Sequence, residues 1–180
     1  MPSLFDDWQE LRVDVDPASQ PDLLSSITDL SAIPNGIANA VWSSHCLEHL
    51  YAHQVGQALQ EFWRILADDG FVCIIVPDLQ AVASYVAADQ LHQVVYQSPV
   101  GPITAHDMLF GFGAAVAQGH TSMAHKCGFT PSAMVQCLSG PPFGEVIVRR
   151  RPTLELAAVC TKKHALTEAQ REALLSALEL

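Results

Sequence analysis

The chain has 180 residues, of which 49% are hydrophobic and 16% are charged, and its formal net charge is −10 at pH 7. This balance excludes intrinsic disorder, which needs low hydrophobicity and high charge, and the acidic charge disfavours general binding to nucleic acid or anionic membranes. The length predicts one domain over residues 1–180, with a core over about 8–165 and a C-terminal helix over 167–180.

The five cysteines are odd in number and show no paired spacing. This pattern argues against a disulfide framework and favours a reducing cytoplasm. The N-terminus lacks the basic region and the apolar run of a signal peptide. We also find no apolar stretch near the ~20 residues that a membrane helix needs.

The first predicted strand covers residues 11–15 and is followed by an Asp-Pro turn, which places Asp14 and Asp16 at its carboxyl end. Residues 17–21 are predicted to form a loop. Residues 22–27 fit either a short strand or a turn of helix. Turn residues then lead to a more regular unit.

Residues 39–78 predict a strand, a helix and a second strand. The first strand covers residues 40–44, and apolar residues then recur at helical spacing. Asp69 and Gly70 predict the end of the helix, since Gly accepts the left-handed conformation. Residues 71–76 form an unbroken apolar run, which is typical of a strand buried on both faces of a parallel sheet. Ligands of such sheets lie beyond the carboxyl ends of the strands, which here carry Ser43, Ser44, His45 and Asp78.

The remaining elements follow in order. Residues 79–92 predict a helix, 98–104 a loop, and 122–128 another loop, whereas residues 106–119 fit no single state. Thr130 before Pro131 predicts a capped helix over 131–138. Residues 145–149 and 154–161 predict an antiparallel strand pair, and the capping box over 167–170 predicts a final helix.

Four segments carry a family resemblance, namely RVDVDP, TDLSAIP, AVWSSHCLEHL and EFWRILADDGFVCIIVPD, and MAHKCGFT follows further on. In this order they resemble class I S-adenosylmethionine-dependent methyltransferases of the type 11 group. The resemblance implies a Rossmann-like αβα sandwich, with a mostly parallel sheet that ends in an antiparallel hairpin. It also implies S-adenosylmethionine as cofactor and methyl transfer to a small or glycan-like acceptor.

The resemblance implies roles for particular residues. Asp14, or Asp16 if the register slips, would bind the ribose hydroxyls, and Asp29 and Leu30 would meet the adenine. Ser43, Ser44 and His45 would lie beside the methionine half of the cofactor. His45 or a histidine of the covering segment would act as base, the covering histidines being His106, His120 and His125. Structural roles compete, because Asp14, Asp16 and Asp29 also fit turn and cap positions.

The resemblance also implies a gap. The family's first strand and Gly-rich turn have no counterpart, since no glycine precedes Gly36. We expect the gap to close by direct pairing of the strands at Leu11 and Ala40, or by a segment of a second chain, with Phe5 and Trp8 available as local plugs. Exposed strand edges invite pairing, which predicts a homodimer. The alternative is a degenerate fold that no longer binds the cofactor and serves as an oligomerisation or binding module.

Several local motifs allow rival interpretations. His45, Glu48 and His49 match H-x-x-E-H, which would be a zinc hydrolase site if both histidines were ligands. Cys127 beside Lys126 has a setting that could lower its pKa and make it a nucleophile. Other charged positions have structural explanations: residues 149–151 as a solvated strand end rather than a phosphate site, and residues 61 and 64 as a surface pair.

Overall fold

The computed structural model describes residues 5–99 and 101–178. Its strands are β1 (Val13–Asp14), β2 (Leu23–Leu24), β3 (Ala38–Ser44), β4 (Leu66–Pro77), β5 (Val94–Ser98), β6 (Gly101–Thr104), β7 (Val146–Arg151) and β8 (Glu155–Thr161). Its α-helices are α1 (Ala52–Ile65), α2 (Leu79–Ala87), α3 (Ala105–Phe110), α4 (Gly113–Ala117), α5 (Pro131–Leu138) and α6 (Glu168–Ala177). Short 3-10 helices cover Pro17–Ser19, Leu47–His49 and Thr121–Met123.

The main sheet has the strand order β3–β4–β8–β7. β3 and β4 pair in parallel across α1, which confirms the predicted strand–helix–strand unit. β8 pairs antiparallel to β4 on one side and to β7 on the other, as predicted for the final hairpin. The expectation of a mostly parallel sheet is wrong for these four strands, because two of their three pairings are antiparallel. A direct β7–β8 turn can join only antiparallel neighbours.

Helices cover both faces of this sheet, which confirms the Rossmann-like αβα arrangement. Val72, Ile74 and Val76 of β4 pack on the side of α1 and α5. Alternate residues of the same strand, such as Cys73 and Ile75, pack on the side of α6. All of these side chains are buried, as expected for a strand covered on both faces. Burying each large apolar group stabilises the fold by about 1.5–3 kcal/mol.

The junction of α1 and β4 differs from the prediction. The helix ends at Ile65, and Leu66 already pairs with Ala38, so residues 67–70 bulge out of the ladder. Gly70 has no positive φ. It is needed for a close approach, since a Cβ there would lie 2.9 Å from the Ala38 carbonyl oxygen. The glycine therefore serves a strand bulge rather than a helix end.

The N-terminal strands do not close the predicted gap. β1 and β2 pair in parallel as a separate two-stranded sheet. The expected direct pairing near Leu11 and Ala40 is therefore wrong. Within residues 5–99 and 101–178, β3 has a strand partner on one edge alone. Phe5 is buried on the α6 face of the sheet, where its ring centroid lies 5.6 Å from that of Trp42 and 6.4 Å from that of Phe71, and Trp8 packs edge-on to Phe5.

Several other boundaries differ from prediction. Residues 98–104 belong mainly to the β5–β6 hairpin instead of a loop, and Ile103 anchors it in a small core with Val82 and Met108. α2 ends at Ala87 because Asp89 turns left-handed at φ 59° and Gln90 donates back to Tyr85. No helix among the described residues combines the length and apolar character that a membrane crossing requires.

Candidate functional site

The acidic end of β1 forms two successive turns. Asp14 Oδ1 accepts a hydrogen bond from the Asp16 amide at 2.8 Å, and Asp16 Oδ1 accepts one from Ala18 at 2.8 Å. These contacts shorten the predicted strand to two residues. The second oxygen of Asp14 has no hydrogen-bond donor among the residues that the structure describes. The second oxygen of Asp16 lies 3.6 Å from His120 Nδ1, so the segment predicted to cover the site reaches this strand end.

Asp29 and Leu30 lie in the loop between β2 and β3. Asp29 is exposed, and hydrogen bonding by Ser31 lowers the pKa of its carboxyl. Leu30 is only 2% exposed and packs in the main core. The Leu30 side chain therefore has no exposed surface against which an adenine could pack. The adenine contact of Asp29 stays a prediction, and the geometry does not favour the one predicted for Leu30.

The Glu61–Arg64 pair fixes this loop. Arg64 binds Glu61 through two hydrogen bonds of 2.8 Å and also donates to the carbonyls of Leu30 and Ile33. Glu61 accepts from the Leu30 amide at 2.7 Å, and the hydrogen bonds from Arg64 lower the pKa of Glu61. The pair was predicted as a surface contact, but it also ties α1 to a loop about thirty residues upstream, which spacing along one helix does not reveal.

Ser43 and Ser44 end β3 as predicted. Ser43 is 3% exposed, and its hydroxyl has no hydrogen-bond partner within the described part of the chain. The Ser44 carbonyl accepts from the Cys46 thiol at 3.3 Å. Burial, together with the nearby charges of Glu48 and Asp14, raises the pKa of Cys46 to about 11. The charge of Asp14, at the end of β1, therefore acts on Cys46, which lies just after β3.

His45 follows β3 with a left-handed φ of 53°. Its Nδ1 lies 3.1 Å from Glu48 Oε1 and its Nε2 lies 2.7 Å from Glu155 Oε1. Burial alone would lower the pKa of His45, but the hydrogen bonds to Glu155 and Glu48 outweigh it and raise the pKa to about 9. The ring thus lies between two buried glutamate side chains, whose hydrogen bonds favour its protonated form. Both ring nitrogens are occupied, so catalysis by His45 as base would require one of these bonds to open.

Glu155 is the site residue that sequence reasoning missed. It begins β8, is 4% exposed, and also binds Arg151 Nη1 at 2.6 Å. Burial would raise the pKa of Glu155, but hydrogen bonds from His45 and Thr153 lower it overall. A single carboxylate at the start of an apolar strand was the available signal, since buried charges need partners. Its partner His45 is 110 positions away.

The basic run at residues 149–151 is engaged within the chain. Arg151 binds Glu155, and Arg150 Nε lies 2.9 Å from Asp78 Oδ2. Asp78 is fully buried and caps α2 through the amides of Gln80 and Ala81. These contacts agree with the structural interpretation of the basic run.

The H-x-x-E-H interpretation is not supported in its original form. The motif lies on a turn and a 3-10 helix instead of an α-helix, and both nitrogens of His45 are taken by carboxylates. A different set of possible ligand atoms, from Glu48, His49 and His125, lies within 4.8 Å of one another.

The environment of Cys127 does not favour the nucleophile interpretation. Its thiol donates to the Leu47 carbonyl at 3.4 Å. Burial and the charge of Glu48 raise the pKa of Cys127 to about 11, so the thiolate is suppressed at neutral pH.

A shallow cleft of about 520 Å³ runs between the loop at Asp29 and α1. It is lined by polar residues, among them Gln57, Gln60 and Arg64. Of the predicted site residues it contains Asp29 alone. Leu30, next to Asp29, packs in the core, and the other predicted residues lie at the carboxyl ends of β1 and β3.

Comparisons with known proteins agree with this architecture. Residues 8–74 match a family described as Methyltransferase domain. No curated protein matches the chain in sequence.

Solved structures resemble the fold at low sequence identity. A complex of the Haloferax volcanii Trm112 methyltransferase activator with a methyltransferase matches at 14% identity and TM-score 0.53, over 92% of this chain and 78% of the other. A SAM-dependent methyltransferase from Archaeoglobus fulgidus matches at 12% and 0.52, over 82% and 73%. The 1,6-didemethyltoxoflavin-N1-methyltransferase of Burkholderia thailandensis, with bound S-adenosylhomocysteine, matches at 15% and 0.50, over 84% and 60%. This chain spans 32–35% of the length of several other matched chains.

Proposed function

We propose that this chain is a class I S-adenosylmethionine-dependent methyltransferase and that it transfers a methyl group from S-adenosylmethionine to a small or glycan-like acceptor. The family match covers β1, β2, β3 and the first part of β4, and so includes the ends of β1 and β3 where the cofactor would bind. The observation that carries the proposal is the placement of a partly unpartnered Asp14 carboxylate beside the end of β3.

The residues present fit the sugar end of the cofactor. Asp14 has a carboxylate oxygen without a donor in the described part of the chain, and vicinal ribose hydroxyls are suitable donors for it. The Ser43 hydroxyl is a second buried polar group in need of a partner. The charge of Asp14 contributes to the raised pKa of Cys46, which supports a position of Asp14 near the end of β3.

When bound, S-adenosylmethionine supplies a methyl group on a positively charged sulfur. The chain contributes positioning, which accounts for much of the rate of such displacements. Asp14 would orient the ribose, and Ser43 and Ser44 would flank the donor. His45 is held by Glu48 and Glu155, which favours a positioning role over proton transfer. His120 is half-exposed beside Asp16 and is the better candidate for a general base.

Calorimetric titration with S-adenosylmethionine and S-adenosylhomocysteine tests the proposal. We expect Kd below about 0.1 mM. Asp14→Asn should weaken binding at least about tenfold, because hydrogen bonds to a charged group contribute about 1.5–3 kcal/mol. Asp7→Asn, which changes an exposed carboxylate, is the control and should bind like the unaltered protein. Absence of binding heat with the unaltered protein would contradict the enzyme proposal and favour a cofactor-free binding module.

The proposal extends to assembly and location. One edge of β3 has no strand partner among residues 5–99 and 101–178, and this free edge supports a homodimer in which a second copy covers it, since open edges pair readily. All five cysteines are unpaired, which supports a reducing cytoplasm.

A further inference from the structure

Three side chains outside the proposed cofactor site converge from two segments. Glu48 and His49 lie on the 3-10 helix Leu47–His49, and His125 lies just after the 3-10 helix Thr121–Met123. Their possible ligand atoms are within 4.8 Å of one another, and the imidazole centroids are 4.9 Å apart. A backbone hydrogen bond holds the two segments together, since the Lys126 amide donates to the Glu48 carbonyl oxygen at 2.8 Å.

Both histidines are held in the tautomer that leaves Nε2 free. His49 Nδ1 lies 3.3 Å from the Ala124 carbonyl oxygen, and His125 Nδ1 lies 3.0 Å from that of Met108. A carbonyl oxygen can only accept, so each Nδ1 carries a hydrogen and each neutral ring keeps its lone pair on Nε2. Metal-binding histidines are oriented in this way by backbone carbonyls.

Glu48 adds a carboxylate oxygen with no partner. The residue is 1% exposed, and its Oε1 is bound by His45. Its Oε2 is buried and has no hydrogen-bond partner among the residues that the structure describes. A buried carboxylate oxygen without a donor is costly, and a bound cation would satisfy it. His45 is itself held by Glu155, so the orientation of Glu48 is fixed from outside the group.

From these contacts we infer that Glu48, His49 and His125 bind a divalent transition metal, with Zn²⁺ the best match. Two imidazoles and one carboxylate suit zinc and its neighbours, whereas Mg²⁺ and Ca²⁺ prefer oxygen ligands alone. Three protein ligands leave a fourth tetrahedral position for water or another ligand. Tetrahedral zinc needs ligand atoms about 3.3 Å apart, so the group contracts by at most about 1.5 Å per pair on binding.

The site differs from the H-x-x-E-H pattern in chemistry. Here Glu48 is a ligand and not a base, and His45 supports it instead of binding the metal. The third ligand comes from the segment after α4. The metal would therefore cross-link that segment to the end of β3. The metal site does not depend on methyl transfer.

Zinc titration of the metal-free protein tests the site. We expect one equivalent of Zn²⁺ to bind with Kd below about 10 µM. Co²⁺ substitution should give the intense visible absorption of a tetrahedral site. His49→Gln and His125→Gln should each weaken Zn²⁺ binding by at least about 100-fold. Circular dichroism of each metal-free variant checks that it is folded.

The matched control is the other histidine pair. His92 and His106 stack with ring centroids 5.4 Å apart, and in the part of the chain that the structure describes they belong to no such group. His92→Gln should leave zinc binding unchanged. The inference would be overturned if the unaltered protein bound no zinc. It would also be overturned if His49→Gln and His125→Gln bound it as well as His92→Gln does. S-adenosylmethionine titrations of the same samples report on the proposed function separately.

Discussion

Gly111 is a position where the backbone permits no other residue. Its φ is +93°, and a Cβ there would lie 2.0 Å from the Met123 carbonyl oxygen. Gly111 also bridges to Ala124, next to the proposed ligand His125. We expect Gly111→Ala to lower the free energy of unfolding by more than about 2 kcal/mol, because left-handed strain and a backbone clash add. Urea denaturation measures this loss.

Gly119→Ala separates the two contributions. Gly119 has a similar φ of +97°, but nothing lies within 4 Å of the position that an added Cβ would take. Strain alone should cost about 1 kcal/mol there. If the two variants lost the same free energy of unfolding, the contact with Met123 would not contribute to the destabilisation of Gly111→Ala.

At the scale of elements, two glycines of the strand–helix–strand unit have opposite roles. Gly56 lies inside α1, and nothing lies within 4 Å of the position that an added Cβ would take. At Gly70 an added Cβ would lie 2.9–3.1 Å from three carbonyl oxygens. Gly56→Ala should stabilise the protein by about 0.5–1 kcal/mol, since Ala loses less entropy in a helix. Gly70→Ala should destabilise it by about 1–3 kcal/mol. Thermal unfolding of both variants checks the signs, and a loss in Gly56→Ala would contradict the packing described for α1.

The same unit shows what a sequence can and cannot predict. The alternation of Val72, Cys73 and Ile74 between two cores follows from an apolar run, and the structure confirms it. The bulge at Gly70 could not be predicted, because Asp-Gly after a helix has the same pattern whether it ends the helix or opens a strand. The β5–β6 hairpin was missed because Pro99 and Gly101 indicate a loop, while the burial of Ile103 depends on distant residues.

For the molecule as a whole, the candidate site also has a part that the sequence predicts and a part that it does not. Residues at strand ends, such as Asp14 and Ser43, follow from local pattern and family resemblance. The cluster of His45, Glu48 and Glu155 joins two segments that are 110 positions apart, through the antiparallel register of β8, which no local pattern encodes. The proposed zinc ligands likewise have two origins. Glu48 and His49 belong to the H-x-x-E-H motif, which is visible in the sequence, whereas the position of His125 depends on the conformation of the loop after Thr121–Met123.

The free edge of β3 makes assembly of the whole molecule testable. The backbone amide of His45 donates to the carbonyl oxygen of Ile75 in β4. Successive amides along a strand point to opposite edges, so the amides of Ala40 and Trp42 point to the free edge. If a second copy pairs there, Ala40→Pro should remove an outward donor while leaving the β3–β4 ladder intact. Sedimentation equilibrium should then show a dimer for the unaltered protein and a folded monomer for Ala40→Pro. This interface would be excluded if the unaltered protein were a monomer at about 100 µM, where a dimer with Kd near 1 µM would be almost fully formed. It would also be excluded if the variant remained a dimer.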